Sequence, residues 1–421
     1  MSAVRAAYAG AMSAAAPAMR VWLRSRVWRG KEAASRLAER QGIDGTERPR
    51  GTLFWLHAAS VGETMSILPV LPELANAAPG SAALVTTGTL TSAGLLAQRV
   101  AEQDFGLPIL HRFVPLDVPA WVRRFVEHWR PDAAAFVESE LWPNMLAACR
   151  AAGVPTMLVN ARLSPRSAAR WSRLQGMAAS LLADFAAIEA QSQADADRLR
   201  ALGARAVATT GNLKFAAPPL PAHEGELTRL RGVIGERPVW LAASTHPGED
   251  EIVLAAHRRL LPDFPDLLTI VAPRHPERGP PVAAMVDAPL RSRGEDPASL
   301  WVADTLGELG LLYRLAPVAM VGRSLLPPGG GQNPLEPARL GCAIAAGPYT
   351  ANFSEAVDAL EEAGGIAIVR DDASLAAWVA AMWNREDMRA AMATAARSAA
   401  DRYADLPRAI ARKLAALAGR T

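Results

Sequence analysis

The feature that most limits the fold is an alternation. From residue 52 onward, apolar runs of strand length alternate with amphipathic runs of helix length. The strand-length runs fall at 52–57, 82–87, 109–114, 133–137, 155–159, 185–190 and 206–209, with helical patterns at 63–77, 118–129, 141–152 and 193–202. Continuous apolar strands spaced by helices predict βαβ units and a parallel sheet covered on both faces. A stiff connector, Ala216-Ala217-Pro218-Pro219-Leu220-Pro221, interrupts the pattern. It restarts with runs at 239–243, 267–271, 300–302, 316–321, 342–346 and 366–369, and the tail beyond them reads as helix. The expected architecture is α/β: two doubly wound, Rossmann-like domains facing across a cleft lined by the loops at strand carboxyl ends. The expected parts are a segment 1–28, a first domain 29–215, a linker 216–238 and a second domain 239–421. A length of 421 residues fits two cores better than one.

Charge is unevenly placed. The first 50 residues hold ten Lys/Arg against four acids, while the whole chain carries only +3. The uncharged stretch 6–19 is alanine-rich, contains Pro17 and is too short to span a bilayer, which needs about 20 apolar residues. An interfacial helix anchored by Val21, Trp22, Leu23 and Trp28 on an anionic membrane is the expected arrangement; a frayed terminus is the alternative. Two cysteines, Cys149 and Cys342, both in apolar stretches, point to a reducing compartment without a disulfide framework.

Several loops carry candidate chemistry. The richest is Gly329-Gly330-Gly331-Gln332-Asn333-Pro334-Leu335-Glu336-Pro337. Asn333 as N-cap, Pro334 at the first position and Glu336 in a capping box predict a helix from Pro334 to about Gly341, its N-terminus a seat for a phosphate. A well-capped helix with no ligand fits the same residues. The first strand runs into Ser60, Gly62 and Glu63, where Ser60 caps a helix and Glu63 sits in its first turn. The second ends in Thr86-Thr87-Gly88-Thr89, and the fourth in Glu138-Ser139-Glu140-Leu141-Trp142, two carboxylates able to shift each other's pKa. Arg162 with Arg166, Lys214, Arg274 and the pair His246/His275 complete the polar set. The spacing of Asp195 and Asp197 fits a metal-dependent glycosyltransferase, but residues two apart on a helix face different ways, so solvated charge is expected there. No zinc motif, Walker loop, Gly-x-Gly-x-x-Gly after the first strand or Gly-x-Ser-x-Gly elbow occurs.

Read in order, these loops resemble a known family. HAASVGE (57–63), TTGT (86–89), ESELWPN (138–144), NARLS (160–164) and GNLKF (211–215) are followed by ASTH (243–246) and APRHPER (272–278). DTLGEL (304–309), GGQNPLEPA (330–338) and GPYTANF (347–353) complete the series. Together they are similar to the 3-deoxy-D-manno-octulosonic acid (Kdo) transferases, from about Arg29 onward. The resemblance implies the GT-B fold, CMP-Kdo as donor, a lipid A precursor (lipid IVA) as acceptor, inverting transfer without metal or other cofactor, no nucleic-acid partner, and the cytoplasmic face of the inner membrane.

By the same resemblance Glu63 is the general base, Glu140 holds acceptor or sugar hydroxyls, and Glu336 holds the ribose. Arg274, His275, Gly322, Ser324, Gly331, Gln332, Asn333 and Glu336 are implied for the donor; Ser60, Gly62, Thr87, Thr89, Arg162 and Lys214 for the acceptor or sugar. Gln332 departs from the family, which more often has histidine there, and the N-terminal segment is less hydrophobic than usual. Rival readings are a GT-B-like nucleotide-sugar epimerase and a non-catalytic two-domain binding protein.

Overall fold

The computed structural model describes residues 3–216 and 218–419. The chain divides into two compact units: Met1–Ala217 with Tyr403–Thr421, and Pro218–Arg402 between them in sequence. The first unit is built on seven parallel strands: β1 (Leu53–Ala58), β2 (Ala82–Thr87), β3 (Ile109–Phe113), β4 (Ala133–Val137), β5 (Thr156–Ala161), β6 (Phe185–Ala190) and β7 (Val207–Thr209). Their order is β3-β2-β1-β4-β5-β6-β7. The second unit has β8 (Val239–Thr245), β9 (Leu268–Pro273), β10 (Leu300–Val302), β11 (Val318–Val321), β12 (Ala343–Ala346) and β13 (Ile366–Ile368), in the order β10-β9-β8-β11-β12-β13. All pairings are parallel. Every expected strand run forms, because runs such as Ala133–Val137 and Ala343–Ala346 are buried along their whole length and must be covered on both faces. In the first core Trp55 packs against Phe125 and Phe136 at ring distances of 4.9 and 5.2 Å.

Three expectations are corrected. The helix expected over 63–77 is two helices, Val61–Ile67 and Val70–Ala77, because Pro69 lacks an N–H and its ring clashes with the preceding turn. The expected linker contains the helix Glu224–Ile234, which belongs to the second unit. The tail does not stay with the second unit: the helix Leu406–Ala418 packs on Val70–Ala77 in the first. Arg408 meets Glu73 at 3.2 Å, and Lys413 reaches the buried Glu189 at 2.5 Å.

The N-terminal helix, Ala3–Trp28, is docked rather than loose. Arg5 is buried and pairs with the equally buried Asp184 at 2.7 Å, while its guanidinium donates to the Pro143 carbonyl (3.2 Å) and to Ser180. Leu23 packs with Val118 and Trp121 and so faces inward, unlike the other expected anchors; Val21, Trp22 and Trp28 are exposed. Among the described residues no helix is long and apolar enough to cross a membrane.

Candidate functional site

In each sheet the strand order reverses between two central strands, β1 and β4 in the first unit and β8 and β11 in the second. Loops leaving the carboxyl ends of such strands diverge and open a crevice. Most of the candidate residues lie on these loops.

After β1, Ser60 has extended backbone and caps the helix Val61–Ile67. Its hydroxyl accepts from the Glu63 N–H (3.3 Å) and donates to Glu63 Oε1 (2.8 Å), while Glu63 Oε2 accepts from the Ala59 N–H at 2.7 Å. These bonds turn the Glu63 carboxylate back over the end of β1, where it is buried. Burial pushes its pKa up; the Ser60 and Ala59 hydrogen bonds oppose this, and the charges of Glu140 and Glu138 add to it. After β4, Glu138 takes a left-handed backbone (φ 60°) and its carboxylate meets Lys214 at 2.6 Å. Gly62 lies against that lysine, where a Cβ would stand 3.7 Å from Lys214 Nζ, an ordinary contact. Glu140 Oε2 accepts from His57 Nε2 at 3.1 Å and from the indole of Trp142. Burial would raise its pKa, but the His57 hydrogen bond, with the Trp142 bond, brings it below the usual carboxylate value. Two neighbouring carboxyls are therefore displaced in opposite directions, the pattern of a base beside a fixed anion.

The other first-unit candidates sit differently. Thr87 Oγ1 is 2.9 Å from His111 Nε2, and Thr89 caps the helix Leu90–Glu102 by accepting from the Ser92 N–H at 3.1 Å. Between them Gly88 is required for close approach, since a Cβ would meet the Ala59 carbonyl at 2.6 Å. The Arg162 carbonyl accepts from Ser139 Oγ at 2.6 Å, and its side chain is exposed at the rim. His57 is the residue the loop reading missed: it stands on β1, fully buried, and a lone apolar-strand histidine shows no partner in sequence.

The expected solvation of Asp195 is also corrected. Asp195 is buried, and its Oδ1 accepts from the Leu163 N–H (2.9 Å) while Oδ2 accepts from Ser192 Oγ (2.7 Å), tying the helix Gln193–Ala201 to the loop after β5. Asp197 is exposed and pairs with Arg200. Asp195→Asn should therefore lower stability by about 1–2 kcal/mol, whereas Asp197→Asn should leave the thermal midpoint unchanged. Equal midpoints for both variants would contradict the buried tie. Among the described residues no group of three His, Cys, Asp or Glu stands together as metal ligands would.

In the second unit Glu249 joins the two central strands. Its buried carboxylate accepts the backbone N–H groups of His246, Arg323, Ser324 and Leu325 at 2.7–2.9 Å. This residue was not singled out in sequence, where it looks like an ordinary first-turn acid. Gly322 lets the strands close, since a Cβ would stand 2.5 Å from the Ser244 carbonyl. Ser324 is fully buried, accepting from the Gly347 N–H (2.7 Å) and donating to the Val321 carbonyl (2.5 Å), so its hydroxyl braces the loop. Arg323 stands exposed at φ 58° beside a cavity of about 240 Å³ that His246, Glu249, Pro327 and Gly329 also line. Gln332 lies 3.4 Å from His246 Nε2, and the His275 ring is 6.0 Å from that of His246. Burial lowers the His246 pKa, and the Arg323, His275 and Arg278 charges lower it further against Glu249. Arg278 is held by the buried Asp250; Arg274 is exposed.

The glycine-rich turn behaves differently from expectation. Its helix is Leu335–Arg339 only, and Asn333 Oδ1 accepts from the Leu335 N–H (3.1 Å) instead of taking the N-cap position. Glu336 is met by the Asn333 side chain at 3.4 Å, not by its backbone. Burial pushes the Glu336 pKa up, against Asn333 and the charges of Arg339 and Arg274. The N–H groups of Gly330, Gly331 and Gln332 donate to the carbonyls of Tyr349, Arg323 and Gly322. They are not an open anion cradle, and a five-residue helix has little dipole to offer. The glycines serve packing: a Cβ on Gly330 would meet Asn352 Nδ2 at 2.5 Å.

Fold and loops define a two-unit Rossmann-like protein with its polar residues at the strand-order reversals. UDP-GlcNAc 2-epimerase from Neisseria meningitidis shares that fold, with a TM-score of 0.58 at 13% identity over 85% of this chain and 98% of that one. The family model "3-Deoxy-D-manno-octulosonic-acid transferase (kdotransferase)" matches residues 35–217. A probable mitochondrial 3-deoxy-D-manno-octulosonic acid transferase of Arabidopsis thaliana is 35% identical over 84% of this chain and 82% of its own length. The 3-deoxy-D-manno-octulosonic acid transferase of Bordetella pertussis is 34% identical over 94% and 95%. The chain belongs to the 3-deoxy-D-manno-octulosonic acid transferase family, and so to the glycosyltransferases.

Proposed function

We propose that the protein transfers Kdo from CMP-Kdo to a hydroxyl of a lipid A precursor, lipid IVA, with inversion and without a metal. The observation that carries this reading is the carboxylate pair of the first unit: Glu63, buried and held by Ser60 and Ala59, and Glu140, held by His57 and Trp142. Kdo's anomeric carbon is tertiary and bears a carboxylate, so its bond to the phosphate oxygen breaks early and leaves an oxocarbenium-like centre. The acceptor hydroxyl attacks that centre while its proton passes to Glu63, whose oxygens keep lone pairs beyond those used by Ser60 and Ala59. CMP departs with the electron pair and one added negative charge. Arg274, with Arg323 and His275 nearby, is suited to offset that charge through side chains, since the turn's N–H groups are committed. Glu336 and Asn333 would hold the ribose, and Glu140 an acceptor or sugar hydroxyl.

A cytoplasmic membrane face fits two surfaces of the first unit. The N-terminal helix exposes Val21, Trp22 and Trp28. The helix Pro165–Ser172, which buries no residue fully, presents Arg166 and Arg170, followed by Arg173; all three are exposed and none forms an ion pair among the described residues. Arginines near an anionic bilayer contribute roughly 1 kcal/mol each.

The deciding experiment follows CMP release from CMP-Kdo with and without lipid IVA, with mass spectrometry of the lipid. Release that needs the lipid, with a mass gain of one or more Kdo units, supports transfer; acceptor-independent turnover supports the epimerase rival. At the donor end, Arg274→Ala, Asn333→Ala and Glu336→Ala should each cost about 1.5–3 kcal/mol of CMP binding, roughly one to two decades. Calorimetry with CMP checks this, and parental affinity in all three would move the nucleotide elsewhere on the second unit.

A further inference from the structure

We propose that His57 is a positioning residue that holds Glu140 as a hydrogen-bond acceptor, at the end of a directed chain of donors starting in the sheet core. The chain begins at Trp55, whose indole Nε1 donates to Thr86 Oγ1 at 2.9 Å. An indole can only donate, so the Thr86 hydroxyl accepts there and keeps its own proton free to turn to His57 Nδ1, 3.0 Å away. With Nδ1 accepting, the ring proton resides on Nε2, which faces Glu140 Oε2 at 3.1 Å. The opposite tautomer would donate from Nδ1 to the Thr86 carbonyl (3.2 Å) and leave an Nε2 lone pair against a carboxylate oxygen. The Trp142 indole supplies a second N–H to the same Oε2. Oε1 forms no hydrogen bond among the described residues and is left to take a ligand's hydroxyl. His57 is only 1% exposed, and its ring lies edge-on to Phe136 at 6.0 Å, so it cannot swing away to act on substrate itself.

The consequence is a division of labour. A carboxylate that receives two N–H donors on one oxygen is fixed in direction and poor at taking a proton, so Glu140 orients while Glu63 abstracts. This rests on the transfer reading for what the orientation serves, but the hydrogen-bond chain itself does not. The groups around Glu140 that bear on its titration are His57 and Trp142, with Glu63, whose own carboxyl feels the Glu140 charge.

Two substitutions test the proposal on the full chain. His57→Phe keeps the ring against Phe136 and removes both polar atoms. His57→Gln offers an amide that can accept from Thr86 and donate to Glu140. The first readout is the 13C-carboxyl titration of Glu140, assigned by comparison with Glu140→Gln. His57→Phe should move that titration to higher pH, and His57→Gln should bring it back towards the parent. The second readout is transfer: His57→Phe should raise the KM for the lipid acceptor about tenfold, with CMP binding unchanged. An unmoved Glu140 titration in His57→Phe, or a Gln variant no closer to the parent than Phe, overturns the proposal. A moved titration with unaltered transfer keeps the hydrogen-bond chain but removes Glu140 from the reaction, which counts against the functional reading instead. Should His57→Phe not fold, His57→Leu, which also removes both polar atoms, takes its place in the same titration.

Discussion

Glu63→Gln should lower single-turnover transfer by about two to four decades, the usual contribution of a positioned general base. The amide preserves the cap, since its oxygen can accept from the Ala59 N–H and its NH₂ can donate to Ser60 Oγ, but it cannot take the acceptor proton. CMP affinity should stay at the parental value, because the nucleotide is assigned to the second unit. The pH dependence has a definite sign. Burial holds the Glu63 pKa above the ordinary carboxylate value, so the active, ionised base accumulates as pH rises through that raised value. The parental rate should climb with pH along this limb, and the limb should vanish in the variant. If Glu63 were only a capping acid, the outcome would be a stability change of about a kilocalorie or less with turnover retained. That result would move the base elsewhere, and Glu140 is a poor successor because two N–H donors already hold it.

Arg5→Ala should destabilise the chain by about 3 kcal/mol, the lower end for breaking a buried ion pair. The value sits at that end because Asp184 retains Arg150 at 2.8 Å. Deleting residues 1–28 should cost more, since Leu23 would also leave its cluster with Val118 and Trp121. An arm that the fold does not need would instead leave the urea midpoint of both variants at the parental value. Replacing the pair together, Arg5→Met with Asp184→Leu, should recover most of the loss, because a well-packed apolar pair avoids the desolvation of two ions. An unshifted midpoint in Arg5→Ala would mean the helix is not held by this contact.

These residues also show where sequence reading stopped. Strands were legible because a strand covered on both faces is apolar throughout, as in Ala133–Val137. Local caps were legible too: Ser60 and Glu63 are three residues apart and satisfy each other. Partners distant in sequence were not. Arg5 and Asp184 are separated by 179 positions, and nothing near Arg5 in the sequence says it will be buried. Glu249 reads as a first-turn acid, yet three of its four donors come from residues 323–325. Asp195 reads as surface charge until the loop after β5 folds onto it. The glycine-rich turn misled in the opposite way. Its φ values of 54°, 113° and 75° do need glycine, but packing against residues 349–352 uses the freedom that a phosphate cradle would need.

The return of the C-terminal helix to the first unit has a consequence for synthesis. A ribosome releases the first 217 residues, then the whole second unit, and only afterwards the helix Leu406–Ala418. Until then the helix Val70–Ala77 lacks its covering partner and Glu189, almost fully buried in the finished protein, lacks Lys413. The unit that begins first is thus completed last, and the nascent chain carries an unclosed apolar face while the second unit is made. A fragment stopping at residue 217 should inherit the same defect and be prone to self-association. A synthetic peptide spanning 403–421, added in trans, should relieve it.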